Sequence, residues 1–335
     1  MRDKVESLEL SGTTTLDVSK RSLFVRNVLR NPRALTAVLI LVAFGLASQL
    51  VDQFFTLRNL SNILVQTCPV GLMATGLTFV LITGGIDLSA AATMSVAAIV
   101  GALCMKAGAG ALVGPIVMVG IAVAVGAFNG FAVATLGMVP FIVTLAIQVV
   151  EHGVGVWLTN AESVANLPLA FVGPFTGQIG PVPVAILVLI ACAIIAHYVL
   201  ASTIHGRRLY AVGINPRAAN ISGIPTKRVL YSAYILGGLF AGLAAIISTA
   251  RLGSASAAMG SDALMMDVVS AAVIGGVSIY GGVGTILGAV IGAIFITVIS
   301  NIMNLLGTTY YAALTVKGVI IVLATGLDRF NKRAR

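Results

Sequence analysis

The stretch STIHGRRLYAVGINPRAANISGIPTKR, Ser202–Arg228, is the longest polar interruption in a chain that is 58% hydrophobic and only 9% charged. It carries Arg207, Arg208, Arg217, Lys227 and Arg228 and no acidic residue. Between apolar runs long enough to cross a bilayer, a loop this basic belongs on the cytoplasmic side, where Lys- and Arg-rich connections are retained. Asn215-Pro216 marks a turn that opens a short helix through Arg217, Ala218, Ala219 and Asn220, with Gly223 as its stop. The expected shape is a strap, a short helix and a second strap. Two readings are open at this point: a docking element for another protein at the cytoplasmic surface, or a solvated connector whose arginines only set topology.

Outward from this loop, a mean hydropathy of +1.05 and successive apolar runs of bilayer-spanning length place the chain in a membrane. In hydrocarbon the backbone must satisfy its own hydrogen bonds, so the runs are expected to be helices. The fold class expected is therefore an all-α polytopic membrane protein. About ten transmembrane segments fall near 34–52, 61–83, 87–104, 111–136, 138–158, 182–202, 228–250, 263–280, 283–305 and 309–326. Sixteen of the twenty Lys and Arg lie before residue 34, between 206 and 229, or after 328, and an even number of crossings puts all three regions on the cytoplasmic side. That division gives a tail at 1–33 without the marks of a signal peptide, a transmembrane domain at 34–328 and a second tail at 329–335. Within the domain lie the cytoplasmic loop 203–228 and a proline-rich outer loop 159–181, whose alternatives are a docking surface for an external protein and a mere connector. The net charge of +9 follows from this topology, and anionic membrane lipid is a sufficient partner for it without nucleic acid.

The segments also repeat. Asp87 to Gly101 aligns without gaps on Asp262 to Gly276, pairing Asp87 with Asp262, Ser95 with Ser270 and Ile99 with Ile274; Gly71 to Leu77 corresponds to Gly237 to Leu243. Segments two to five thus recur as seven to ten. An offset of five crossings is odd, so the copies are expected to be inverted, an architecture that lets a transporter exchange inward-open and outward-open shapes. Gly284, Gly288 and Gly292 form a ridge of small residues for close helix packing.

Polar residues inside these segments are the candidates for the pathway or its gate. Asp87 is placed to cap the helix that follows it, to line the pathway, or both. Lys317 falls near the middle of the tenth segment, where a lysine costs about 2.5–3.5 kcal/mol on insertion scales and calls for a partner. The repeat sets it opposite Gln148, Glu151 and His152, and a Glu151–Lys317 pair is the expectation, against a reading in which Glu151 and His152 sit among headgroups.

Three motifs carry a resemblance. GRRLYAVGINPRAANISGI, the run Gly84-Gly85-Ile86-Asp87-Leu88-Ser89, and Gly281-Gly282-Val283-Gly284-Thr285 with Gly288-Ala289 and Gly292-Ala293 resemble signatures of the permease subunits of ribose-type ABC importers, over about residues 55–327. The resemblance implies that the basic loop is a coupling loop whose short helix enters a cleft of a separate ATPase subunit. Gly206, Arg207, Asn215, Ala218, Ala219, Ser222 and Gly223 are the contact residues implied. It also implies a solute-binding protein outside the cell, a second permease copy, a bacterial inner membrane, and monosaccharides as the commonest cargo. The chain departs from the pattern at Ala90-Ala91, where Val-Gly is usual, and at His152-Gly153, where Arg-Gly is usual.

No Gly-x-x-x-x-Gly-Lys-Ser/Thr motif occurs in the chain, so no cofactor is expected on it; ATP and Mg belong to the partner ATPase. Cys68, Cys104 and Cys192 lack metal-ligand spacing and read as apolar fillers, and His152, His197 and His205 have no catalytic partners in the sequence. Energy therefore comes from a partner ATPase or, as the alternative, from an ion gradient acting on Glu151, His152 and Lys317.

Overall fold

In a computed structural model of the chain, the structure describes residues 53–319 together with Gly45 and Val322. The expected tails at 1–33 and 329–335, the first segment at 34–52 and the end of the tenth lie outside these residues. Among the described residues, eight helices are long and apolar enough to cross a membrane. The chain is an all-α, multi-pass membrane protein.

The helices are α1 (Leu57–Ile82), α2 (Ala90–Cys104), α3 (Val113–Ala134), α4 (Pro140–Thr159), the short α5 (Leu169–Thr176) and α6 (Val184–Ser202). The cytoplasmic-loop region contributes α7 (Ile204–Ile214) and α8 (Pro216–Ile221), followed by α9 (Thr226–Leu252), α10 (Asp262–Ile274) and α11 (Ile286–Leu305). Residues 310–319 are helical and form α12. The outer loop is built rather than open: besides α5 it holds a two-residue hairpin, β1 (Gln178–Ile179) against β2 (Val182–Pro183).

Two expectations need correction. The segment placed at 263–280 ends at Ile274, because Gly276, Gly281, Gly282 and Gly284 take positive φ and turn an apolar run into a loop. The strap before the short helix is itself helical: Thr203 accepts from Gly206 N–H at 3.1 Å and starts α7.

α1 and α9 cross at the centre, where a methyl on Gly76 would lie 2.7 Å from Phe240 Cβ and 3.1 Å from the Gly237 carbonyl. Around this crossing the partners exchange: α1 packs on α10 and α11, while α9 packs on α2 and α3. The expected glycine ridge does close packing, since Gly288 and Gly292 lie against the backbone carbonyls of Gly275 and Ala271 on α10.

Helix α4 serves as a ruler. Its 20 residues span about 30 Å at 1.5 Å per residue, the thickness of the hydrocarbon core. Along it Thr144 donates to the Ile86 carbonyl at 3.3 Å, Gln148 donates to Asp262 at 2.6 Å and Thr93 donates to Glu151 at 3.0 Å. The irregular segments before α2 and before α10 therefore both enter the bundle at membrane depth. Non-helical backbone is tolerated there only where protein or a water-filled cavity surrounds it.

Candidate functional site

In the basic loop region, Asn215 caps α8: its side chain accepts from Ala218 N–H at 3.0 Å, and Pro216 occupies the first turn, where it has no N–H to lose. Gly223, at φ 79°, ends the unit as the sequence suggests. Arg207, Asn215, Ala218, Ser222 and Gly223 are exposed, whereas Gly206 and Ala219 are buried. Those two thus pack within this chain: a methyl on Gly206 would overlap the Leu200 carbonyl, and Ala219 is 4% exposed. The sequence did not single out Ile214 and Ile221, which stand 73% and 87% exposed on the same unit. Behind the face, Ser232 and His205 Nε2 lie 3.3 Å apart, and burial together with Arg208 holds His205 below its ordinary value, so it is neutral near pH 7.

The unit is seated on the irregular segments that follow α1 and precede α11. Tyr210 donates to the Gly284 carbonyl at 2.7 Å, and Gly282 N–H donates to the Ile82 carbonyl at 2.8 Å. Gly213 sits between these two strands of backbone, so that a methyl there would overlap the Ile82 carbonyl and lie 2.7 Å from Gly282 N. One face of α7 thus touches the loop leading to Asp87 and the loop leading to α11.

Inside the bundle the polar residues fall into two sets. In the first, Asp87 accepts from Ser89 N–H at 2.9 Å and from Ser89 Oγ at 2.6 Å, and Asn129 donates to Ser89 Oγ at 2.9 Å. Asp87 closes a turn ahead of α2 and does not cap it; Ser89 is the residue before the helix and caps nothing with its side chain. Glu151 is 5% exposed under α2, held by Thr93, which excludes the headgroup reading. His152, by contrast, is exposed.

In the second set Lys317 pairs with Asp267 at 2.8 Å, with side chains 14% and 16% exposed. The expected Glu151–Lys317 pair does not form: α2 covers Glu151, while α10 brings Asp267 to Lys317. The signal was present as an acid inside the expected segment 263–280. This pair borders a cavity of about 250 Å³, close to the lower end of the roughly 300–1,000 Å³ usual for small-molecule sites. Gln66, Ser248, Arg251 and Ser300 also line it, on α1, α9 and α11.

A family model described as branched-chain amino acid transport system / permease component matches residues 59–325. The chain belongs to this permease family. The permease is 37% identical over 327 residues to the ribose import permease protein RbsC of Escherichia coli (strain K12), covering 96% of this chain and 99% of that one. It is 35% identical over 297 residues to the D-allose transport system permease protein AlsC of the same strain, covering 87% and 89% of the two chains. To the fructose import permease protein FrcC of Rhizobium meliloti it is 32% identical over 307 residues, covering 88% and 84%. No solved structure matches it. The α7–α8 unit and the membrane cavity are thus features of a permease component.

Proposed function

We propose that the permease forms the membrane pathway of an ABC importer for a monosaccharide or a similar small polyhydroxylated solute, driven by a separate ATPase subunit. The observation that carries this reading is the exposed face of α7–α8. Beyond the membrane, a helix pair that shows Arg207, Ala218 and Ser222 to the outside together with two bare isoleucines has the makings of a protein contact, an apolar core with a polar rim. A solvated connector has no use for exposed Ile214 and Ile221. Similarity to permeases named for ribose, D-allose and fructose supports the sugar class, although the family model's description names amino acids.

On this reading the chain hydrolyses nothing itself, and ATP and Mg bind the partner. An external solute-binding protein supplies affinity and docks on the outer surface that includes residues 159–181. A second permease copy completes the pathway, in a bacterial inner membrane with both termini cytoplasmic. The exchange of helix partners around α1 and α9 supports an inverted pair of halves, α1–α4 and α9–α12, that can rock about their crossing.

Mild-detergent purification of the tagged chain from its native membrane, with ATPase activity measured on what co-purifies, tests the reading. We expect an ATPase that is lost with Ala218→Glu, on the exposed face, and kept with Glu162→Gln in the outer loop. A chain that purifies alone would overturn it.

A further inference from the structure

The cavity beside the Asp267–Lys317 pair has a chemistry of its own. It is bounded by α1, α2, α9, α10, α11 and α12, elements of both proposed halves, in a bundle where glycines elsewhere bring backbones into contact. Charged side chains at membrane depth are costly, and they are characteristic of solute and ion pathways. Here three charged groups line one cavity: Arg251, Lys317 and Asp267.

The hydrogen-bonding capacity at the wall is left partly open. Among the described residues the pair employs Asp267 Oδ2 and one of three ammonium N–H groups of Lys317, leaving a carboxylate oxygen and two donors. Ser300 Oγ gives its proton to the Ile296 carbonyl at 2.9 Å, which turns its lone pairs into acceptors for something else. Ser248 donates only to Met94 sulfur at 3.6 Å, a weak bond that is easily exchanged. Gln66 adds both an acceptor and two donors. A lining that offers both donors and acceptors suits hydroxyl groups, each of which can donate and accept. Two cations against one anion make the cavity repel sodium or protons, which disfavours ion coupling here.

We propose that this cavity, within a single copy of the chain, is a transit site for a neutral polyhydroxylated sugar, held by the Asp267–Lys317 pair with Gln66, Ser248 and Ser300 and entered past Arg251. The proposal rests on the importer reading for its cargo class. It places solute contacts on α1 and α9–α12; of the pathway candidates named from the sequence, Lys317 is among them and the α4 residues are not.

The test uses accessibility, which does not require knowing the cargo. Cys68, Cys104 and Cys192 are replaced by alanine, a single Ser300→Cys or Gln66→Cys is introduced at a half-buried lining position, and the full chain in lipid nanodiscs is exposed to a small water-soluble methanethiosulfonate. Ser95→Cys, at a 3%-exposed position, must stay unlabelled and so reports an intact bundle. We expect both cavity cysteines to react, and D-ribose, D-allose or D-fructose to slow the reaction about tenfold at roughly ten times its dissociation constant. No reaction at either position, a reaction that none of the three sugars slows, or protection by D-gluconate alone would each overturn the proposal. Co-purifying ATPase activity is measured on the same preparation, so a failure of the importer reading shows separately from a failure of the cavity.

Discussion

The two polar regions of this permease are built in opposite ways. At the α7 joint, the helix lies backbone to backbone against Ile82 and Gly282, with Gly213 leaving no space for even one methyl group. At the cavity, side chains from six helices surround about 250 Å³ of open volume. Close-packed matter transmits displacement, whereas a loosely filled site can change shape around a guest. On the importer reading the contrast suits a machine that is pushed at one end and yields at the other: movement of α8 would reach the Asp87 loop and the α10–α11 loop through the joint and change the outline of the cavity.

The largest expected effect tests the tight end. Gly213→Ala places a methyl against backbone on both sides, where no rotamer change can relieve it; overpacking of this kind costs about 1–3 kcal/mol, and the upper end is expected. Thermal unfolding in detergent should move clearly downward and solute transport should be lost. The cavity counterpart Ser300→Ala should stay within about 0.5 kcal/mol of the parent. A Gly213→Ala chain as stable as the parent would show that the joint has slack, and the contrast between the regions would fall.

Next in size is a double-mutant cycle at the loose end. Lys317→Met or Asp267→Asn alone leaves an uncompensated charge that is mostly buried, at a cost of about 3 kcal/mol, whereas the pair of changes together should recover most of that loss. Transport should remain impaired in the double variant, since the ammonium donors of Lys317 and the carboxylate of Asp267 are gone from the wall. Strict additivity would mean that the two residues are not an energetic unit, and the cavity would then be no more than a packing defect.

Much of this arrangement was legible in residue order. Asn215-Pro216 and Gly223 announced α8 because capping and helix termination are local matters, and the spans followed from hydropathy because the bilayer imposes a length. Polar partners were harder. Lys317 was recognised as needing an acid, but repeat arithmetic selected Glu151, since spacing along the chain says nothing of which helix covers which. Asp267 reaches Lys317 because α10 breaks at Ile274 and packs beside α11, and the break depends on glycines adopting positive φ in an apolar run that hydropathy alone scores as helix. Likewise Gly206 and Ala219 looked like contact residues by motif position, and only the seating of α7 and α8 shows that they face inward.

The smallest expected effect separates transmission from mere support at the joint. Tyr210→Phe removes one hydroxyl, and with it the bond to the Gly284 carbonyl, while keeping the ring that packs there. One such bond is worth about 1 kcal/mol, or roughly fivefold in an equilibrium between two positions of the loop. If the joint carries motion from α8 to the α10–α11 loop, ATP hydrolysed per solute moved should rise by about that factor at an unchanged ATPase rate. If the bond only steadies the fold, hydrolysis and transport should decline together at a constant ratio. That result would leave the tight packing at Gly213 intact but deny it the role of passing movement from the ATPase side to the cavity.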